Sequence, residues 1–203
     1  GLYRADWVVA EHYARAAVEM AEKLDAPSEL SAALEALASA HYGRGRLREH
    51  LEVSLRRLTI SRESRFGDLR RQVLTLNSVS SALVYVGEYM QAMPHLLEAE
   101  RLAGQAQDLD LHISVLRVLS HCLYQMDRWE QVLEIEDKWR ALNMRYPKFF
   151  QLLRGHCFQL ALNASVYARR GDFERAAALR EESRAIMLDT EGSEERWARD
   201  NHY

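Results

Sequence analysis

Two adjacent histidine–cysteine pairs are the residues of this chain whose types could hold a metal ion. They are His121-Cys122 and His156-Cys157. A zinc site needs four ligands that converge in a tetrahedron, usually with CxxC or HxxxH spacing. Adjacent residues on a helix diverge by about 100°, so the two members of one pair are poorly placed to share an ion. We therefore predict no metal site and interpret both cysteines as buried, reduced residues of a cytoplasmic protein.

Motifs of the common catalytic centres are missing from the sequence. It contains no GxxxxGK phosphate loop, no HExxH, no GxSxG and no CxxC. The glutamate pairs Glu181-Glu182 and Glu194-Glu195 could act as acid and base, but charged residues of this kind are usually solvated. We therefore predict a protein that is not an enzyme and that uses no cofactor.

Recognition of a peptide by polar and aromatic side chains is the chemistry that the sequence favours. Six such residues fall on two consecutive predicted helices, on the side that we expect to line a groove: Asn77, Tyr85, Arg117, His121, Tyr124 and Gln125. We call the helices that line this groove inner helices and the others outer helices. Arg117 and His121 are four residues apart and share one helix face. Arginine can hold a carboxylate or a carbonyl, asparagine can pair with a peptide backbone, and tyrosine supplies rigid contact area. We predict these six as the partner-binding site; the alternative is a face that is only solvated.

A basic region offers a second surface. Nine arginines crowd the stretch from residue 44 to residue 71: Arg44, Arg46, Arg48, Arg56, Arg57, Arg62, Arg65, Arg70 and Arg71. They spread over an outer helix and a turn without interleaved exposed aromatic residues. We therefore expect a solvated convex face rather than a nucleic-acid site.

The elements that must position these residues repeat along the chain, because a turn recurs about every forty residues. The turn positions are Gly45, Gly87, Asp127 and Gly171, with an earlier copy at Ala5. A large apolar residue follows two positions later, at Leu47, Tyr89, Trp129, Phe173 and Trp7. A small residue stands seven positions before each of the four later turns, at Ala38, Ser80, Ser120 and Ala164, and a leucine eleven positions before, at Leu34, Leu76, Leu116 and Leu160. Small residues at fixed positions let two helices approach closely.

This joint register resembles the tetratricopeptide repeat (TPR), and the resemblance covers nearly the whole chain. The period is longer than the ~34 residues of the standard repeat. It is similar to the extended repeats of bacterial regulators related to the maltose activator and to those of polarity adaptors of the Leu-Gly-Asn type, and both groups remain open. The resemblance implies an all-α fold, a right-handed α-solenoid of antiparallel helix pairs whose concave face binds a protein or peptide segment. Glu35 and Ser39 stand where chaperone-binding members have clamp residues, which argues against a chaperone co-factor.

Alternating outer and inner helices are predicted between the turns. The outer helices are expected near 6–24, 47–65, 88–105, 128–143 and 172–188, and the inner helices near 27–42, 68–86, 109–126 and 148–169. We predict a single TPR-like domain, 1–203, with repeat units 1–26, 27–67, 68–108, 109–146 and 147–190 and the start of another at 191–203, where Ser193 precedes acidic residues. The uncovered Trp7, Val8 and Val9 lead us to expect a piece of a longer protein, or self-association through the ends of the solenoid.

Composition agrees with a helical globular chain. Hydrophobic residues make up 48% and charged residues 28% of the sequence. No apolar run approaches the ~20 residues of a membrane span, so we expect no membrane contact. The sequence thus predicts a non-catalytic scaffold for a protein or peptide partner. The alternatives are a sensor or regulatory segment of a signalling or transcription regulator, and an accessory domain of an enzyme whose catalytic part is elsewhere.

Overall fold

All regular structure in the described part of the chain is α-helical. The computed structural model describes residues 6–63, 69–146 and 154–200, and the side chains at 6–62, 69–146 and 156–188; no strand occurs within these ranges. The helices are α1 (Trp7–Lys23), α2 (Pro27–Gly43), α3 (Leu47–Glu63), α4 (Leu69–Tyr85), α5 (Tyr89–Ala106), α6 (Leu109–Gln125), α7 (Trp129–Arg145), α8 (Arg154–Arg169) and α9 (Phe173–Asp200). Most of the predicted helix bounds agree with these to within about two residues.

The four predicted turns share one backbone conformation. Gly45, Gly87, Gly171 and Asp127 have φ values of 72°, 87°, 82° and 56°. Glycine adopts this left-handed region freely, and aspartate is among the few other residues that tolerate it. In every turn the next N–H donates to the carbonyl five residues back, at 2.8–3.0 Å: Arg46 to His41, Glu88 to Leu83, Arg128 to Leu123 and Asp172 to Tyr167. This bond pattern ends a helix sharply, so the repeated turn residue is what closes each helix pair.

Aspartates stand at the N-terminal ends of several helices. The Asp6 carboxylate accepts hydrogen bonds from the N–H groups of Val8 and Val9, both at 3.1 Å. Asp108 accepts from the Leu111 N–H at 3.1 Å, and Asp172 accepts from the Arg175 N–H at 3.0 Å. Each carboxylate satisfies free N–H groups at the positive end of a helix.

The helices form two compact units, Gly1–Val118 and Leu119–Tyr203. In the first unit α1 packs on α2, α2 on α3, α3 on α4, and α4 on α5. Its core includes a cluster of Ala14, Val18, Ala33, Leu34 and Leu37. The predicted small and leucine positions of this unit, Ala38, Ser80, Leu34, Leu76 and Leu116, are all buried.

In the second unit α7 packs on α8 and α8 on α9. Its core includes a cluster of Leu160, Ala164, Tyr167, Ala176 and Leu179. The small position Ser120 is also fully buried. The joint register of small and large residues therefore describes the packing inside each unit, while the proposed single domain and its repeat boundaries stay predictions.

The last helix differs from the prediction. α9 continues to Asp200 instead of ending at Leu188, and Ser193 lies inside it rather than at the start of a new helix. A single Gly192 weakens a helix by only about 1 kcal/mol, and no proline follows to end it. The predicted bounds of α3 and α8 extend into 64–68 and 148–153, which lie outside the described residues.

Candidate functional site

A stacked pair of tyrosines lies at the ends of two inner helices of the first unit. Tyr42 of α2 and Tyr85 of α4 have ring centroids 5.0 Å apart at an interplanar angle of 27°, and their hydroxyls are 3.3 Å apart. The pair is fixed by the turns, because Tyr42 stands three residues before Gly45 and Tyr85 two before Gly87. Tyr42 is 46% exposed, so this tyrosine pair presents rigid aromatic surface and hydroxyl groups to solvent.

Arg117 of α6 places a positive charge near this tyrosine pair. The pKa of Tyr42 is raised by its hydrogen bond with Tyr85 and by burial, and Arg117 partly offsets that rise. The Arg117 side chain is half-buried, and no residue that the structure describes gives it a hydrogen bond or an ion pair. A half-buried guanidinium without a counter-charge can bind a carboxylate strongly, because its desolvation is already partly complete.

Asn77, the third predicted site residue of this unit, is used in part by the fold. Its amide nitrogen donates to the Ser114 hydroxyl at 3.0 Å and so joins α4 to α6. Its oxygen Oδ1 is buried and has no hydrogen-bond donor among the described residues. The bond to Ser114 uses one of the two amide N–H donors of Asn77, and the role of Asn77 as a peptide anchor stays a prediction.

The other three predicted residues, His121, Tyr124 and Gln125, belong to the second unit. The Arg169 guanidinium lies 5.4 Å from the centre of the Tyr124 ring and 5.6 Å from that of Trp129. Tyr124 stands three residues before Asp127 and Arg169 two before Gly171, so they repeat the register of Tyr42 and Tyr85. The same two positions of successive inner helices therefore meet in both units.

His121 and Gln125 form a small polar group on α6. The Gln125 amide nitrogen lies 3.1 Å from His121 Nε2, and the His121 ring meets Phe158 edge-on at 5.7 Å. The six predicted residues thus divide into Asn77, Tyr85 and Arg117 in the first unit and these three in the second. Within the first unit, Tyr42 stacks on Tyr85, and the charge of Arg117 partly offsets the rise in the pKa of Tyr42.

A buried carboxylate that the sequence did not reveal lies in the first unit. Glu11 of α1 is only 6% exposed and accepts hydrogen bonds from Arg15, at 2.8 and 2.9 Å, and from Arg44 and Arg46. Burial raises the pKa of Glu11, but the bonds from the three guanidinium groups outweigh it and lower this pKa to about 2. Arg44 and Arg46 therefore tie α1 to the turn after α2 instead of forming an open basic face.

Arg57 corrects the interpretation of the basic region most directly. It was expected on a solvated convex face, yet it is only 3% exposed. Its guanidinium donates to Glu35 at 2.8 Å and to the Ser31 hydroxyl at 3.3 Å, and burial lowers its pKa. Buried charges in proteins are normally paired. The charge partner of Arg57 is Glu35, which lies on a different helix.

The second unit has a comparable buried carboxylate. Glu136 of α7 is 4% exposed; it accepts from Arg140 Nε at 2.8 Å and from the Tyr167 hydroxyl at 3.1 Å. Arg175 of α9 lies 3.8 Å from the same carboxylate and 4.1 Å above the Tyr167 ring. Burial raises the pKa of Tyr167, which keeps this hydroxyl protonated as a donor. The cluster joins three helices, and its partners are already engaged with one another.

Both cysteines are buried, as the sequence predicts, and neither forms a disulfide. Burial raises the pKa of Cys122 to about 11 and raises that of Cys157 as well, which disfavours the thiolate. His156 stacks on Trp139 with centroids 5.8 Å apart. Within the described ranges no three His, Cys, Asp or Glu residues come together as metal ligands. None of the helices in these ranges is long and apolar enough to cross a membrane.

Comparison with known proteins identifies the fold. No protein-family model and no curated protein matches the sequence. Among solved structures, the chain is similar to the nearly identical TPR-like repeats of a Podosopora anserina putative kinesin light chain (TM-score 0.62, 15% identity, covering 94% of this chain and 99% of that one).

Two further structures agree. The apo form of RapI has a TM-score of 0.65 at 14% identity, covering 90% of this chain and 78% of that one. BtubC (BKLC) from P. vanneervenii has a TM-score of 0.57 at 14% identity, covering 93% of both chains. At such identities the likeness shows the fold alone: the chain has the TPR-like helical-repeat fold that its register predicts.

Proposed function

We propose that this chain, whose fold is that of TPR-like repeat proteins, is a non-catalytic scaffold that binds a segment of another protein. The first unit would hold the segment on the inner-helix face, which we define by Tyr42, Tyr85, Asn77 and Arg117. Helical-repeat folds commonly present such faces as binding surfaces.

One observation supports this site above the others. Arg117 is half-buried yet has no hydrogen bond or ion pair within the described residues, whereas Arg44, Arg46 and Arg57 are each paired with a glutamate. An arginine that is partly desolvated without a partner is costly to keep unless something else pairs with it. A carboxylate of the bound segment would be that partner.

The tyrosine pair determines what stands beside the carboxylate. Its exposed ring surface offers contact to an apolar or aromatic side chain, and its hydroxyls can bond to a peptide backbone. We therefore propose an extended segment with an acidic residue, or a terminal carboxylate, next to an apolar one. This chemistry is consistent with the near-neutral charge of the chain, −3 at pH 7, since recognition then depends on one placed cation and not on net charge.

A displayed library of random extended peptides tests the proposal. Peptides selected on the wild-type chain should be enriched in carboxylates. Arg117→Gln should weaken their binding by about 30-fold or more, as expected for loss of a charge-assisted contact in a partly desolvated site. Arg101→Gln, which removes an exposed charge from α5, is the matched control and should leave affinity unchanged. Asn77→Ala is avoided, because it would also break the bond to Ser114.

Two results would contradict the proposal. One is selected peptides that bind the Arg117→Gln protein as tightly as wild type. The other is loss of binding when the exposed Arg48 and Arg56 are reversed to glutamate while Arg117→Gln has no effect, which would place the partner on the basic outer surface.

A cytoplasmic location without a cofactor accompanies this proposal. The support is the pair of buried free cysteines, which oxidising compartments usually convert to disulfides. The regulatory alternative, in which the bound segment is a signal read by a neighbouring domain, uses the same face and the same Arg117.

A further inference from the structure

The first helix has a second apolar face that is open to solvent. Its buried face, with Ala14, Val18 and Ala21, packs on α2. A separate row of apolar residues on α1 and at its C-cap position, Leu24, is exposed: Val9, Tyr13, Ala16, Ala17, Met20 and Leu24. We call this row the α1 stripe. At about 100° per residue, its members fall within an arc of roughly 100°, and the charged residues of the helix lie outside that arc.

The exposure of the large side chains in the α1 stripe is high. Val9 is 46%, Tyr13 68%, Met20 63% and Leu24 70% exposed. Scattered exposed apolar residues are ordinary, but a continuous row along one helix marks an association surface. The exposed residues expected from the sequence were Trp7, Val8 and Val9, and they are 39%, 60% and 46% exposed. Only Val9 belongs to the stripe, and the Trp7 ring lies against Gly43 instead.

The spacing of the α1 stripe is symmetric about its centre. From Val9 to Leu24 the successive steps are four, three, one, three and four residues. The centre falls between Ala16 and Ala17. In an antiparallel pair of α1 helices related by a two-fold axis at that centre, Val9 meets the second copy's Leu24 and Tyr13 meets the second copy's Met20. The alanines lie at the crossing, where small side chains let two helices approach closely.

We propose that two copies of this chain associate through their α1 stripes into a two-fold symmetric dimer with antiparallel α1 helices. A two-fold interface uses the same patch on both partners, so each residue must find its complement within that patch. The stripe meets this requirement, because large residues face large ones and small residues face small ones. An unrelated partner would not require the symmetry. The proposal is independent of the peptide site, since none of the six stripe residues belongs to it.

The size of the surface sets the expected affinity. One helix of seventeen residues covers less than the roughly 800 Å² per partner of a standard interface. Association should therefore be weak, with a dissociation constant in the micromolar range.

Sedimentation equilibrium tests the dimer directly. The average mass of the wild-type chain should rise from monomer toward dimer between about 1 and about 200 µM. Met20→Glu should weaken the dimer by about 30-fold or more, because it buries a carboxylate against Tyr13 of the second copy. Met90→Glu on α5 is the matched control, since Met90 is 70% exposed and Met20 63%. Circular dichroism establishes that both variants keep their helices.

A mixing experiment tests the antiparallel arrangement. Tyr13→Lys and Met20→Glu should each be monomeric alone, and together they should form a heterodimer, because position 13 of one copy faces position 20 of the other. A parallel pair would place like positions together and give no rescue. The proposal is overturned if the wild-type chain stays monomeric over the whole concentration range, if Met90→Glu dissociates the dimer as strongly as Met20→Glu, or if the mixture forms no heterodimer.

Discussion

Burial lowers the pKa of several histidines of this protein. His50 of α3 is 7% exposed, and its Nδ1 lies 2.9 Å from the Ala38 carbonyl oxygen. Burial lowers the pKa of His50, and it likewise lowers those of His41 and His156. Burial removes water from the imidazole ring and so favours its uncharged form in the folded state.

We predict that stability falls as the pH is lowered from 7.5 to 5.5. Because the pKa of His50 is below its ordinary value of 6.5 in the folded protein, the unfolded chain takes up the proton first. The contribution of neutral His50 is fully present above pH 6.5 and is lost as the pH falls from there toward the folded pKa. Each such histidine can add at most about 1.4 kcal/mol per pH unit to the slope.

Urea unfolding at several pH values measures this slope. His50→Gln, which keeps a side-chain donor for the Ala38 carbonyl, should make the slope shallower. His12→Gln changes an exposed histidine of α1 and should leave it as in wild type. The reverse outcome, a flattened slope for His12→Gln and an unchanged one for His50→Gln, would show that the buried histidines are not responsible.

Single residues were also where the sequence predicted least. The sequence predicts Tyr85 and Arg117 on one surface because their positions follow from the turns, and that assignment stays a prediction. The burial of Glu11, Arg57 and Glu136 could not be predicted, since each depends on partners outside its own helix that are 22 to 39 residues away in sequence. A charged residue is a surface residue by composition alone. Only the packing of the helices shows which of these charged residues are buried and paired.

At the scale of the helix, the sequence predicts well because a backbone constraint selects the residue. Gly87 has φ 87°, and a Cβ built there would meet no atom within 4 Å. The glycine is therefore required by its backbone conformation and not by lack of space. The buried polar residues of α8 show the limit of this reasoning. Gln159 donates to Ser120 and to Asn163, both at 2.9 Å, in positions where the apolar pattern alone predicts core.

We predict opposite effects for the same substitution at two glycines, one in the turn before α5 and one inside that helix. Gly87→Ala should destabilise the protein by about 1–2 kcal/mol, because alanine is strained in the left-handed region. Gly104→Ala lies inside α5, where a Cβ also meets nothing within 4 Å, and should stabilise by about 0.5–1 kcal/mol. Thermal unfolding followed by circular dichroism gives both values. Equal shifts for the two variants would mean that the turn conformation is not what Gly87 provides.

At the scale of the whole molecule, the main feature is that helices contact helices that are close to them in sequence. Within each unit the main helix contacts join neighbouring inner and outer helices, such as α1 with α2 in the first and α8 with α9 in the second. In repeat proteins of this type, stability is approximately a sum of local terms and of terms between neighbours. A perturbation inside one helix pair should therefore affect that pair most.

Ala164→Leu tests this expectation. Ala164 is 2% exposed on α8 at the predicted small position, so leucine there should force α8 and α9 apart at a cost of about 1–3 kcal/mol. Hydrogen exchange should speed up in α8 and α9, while exchange in α1 and α2 stays near that of wild type. Ala161→Leu, at an exposed site three residues earlier on the same helix, is the matched control and should change exchange little. If Ala164→Leu instead accelerates exchange equally in all helices, the chain unfolds as one cooperative body, and the local description fails at the scale of the whole molecule.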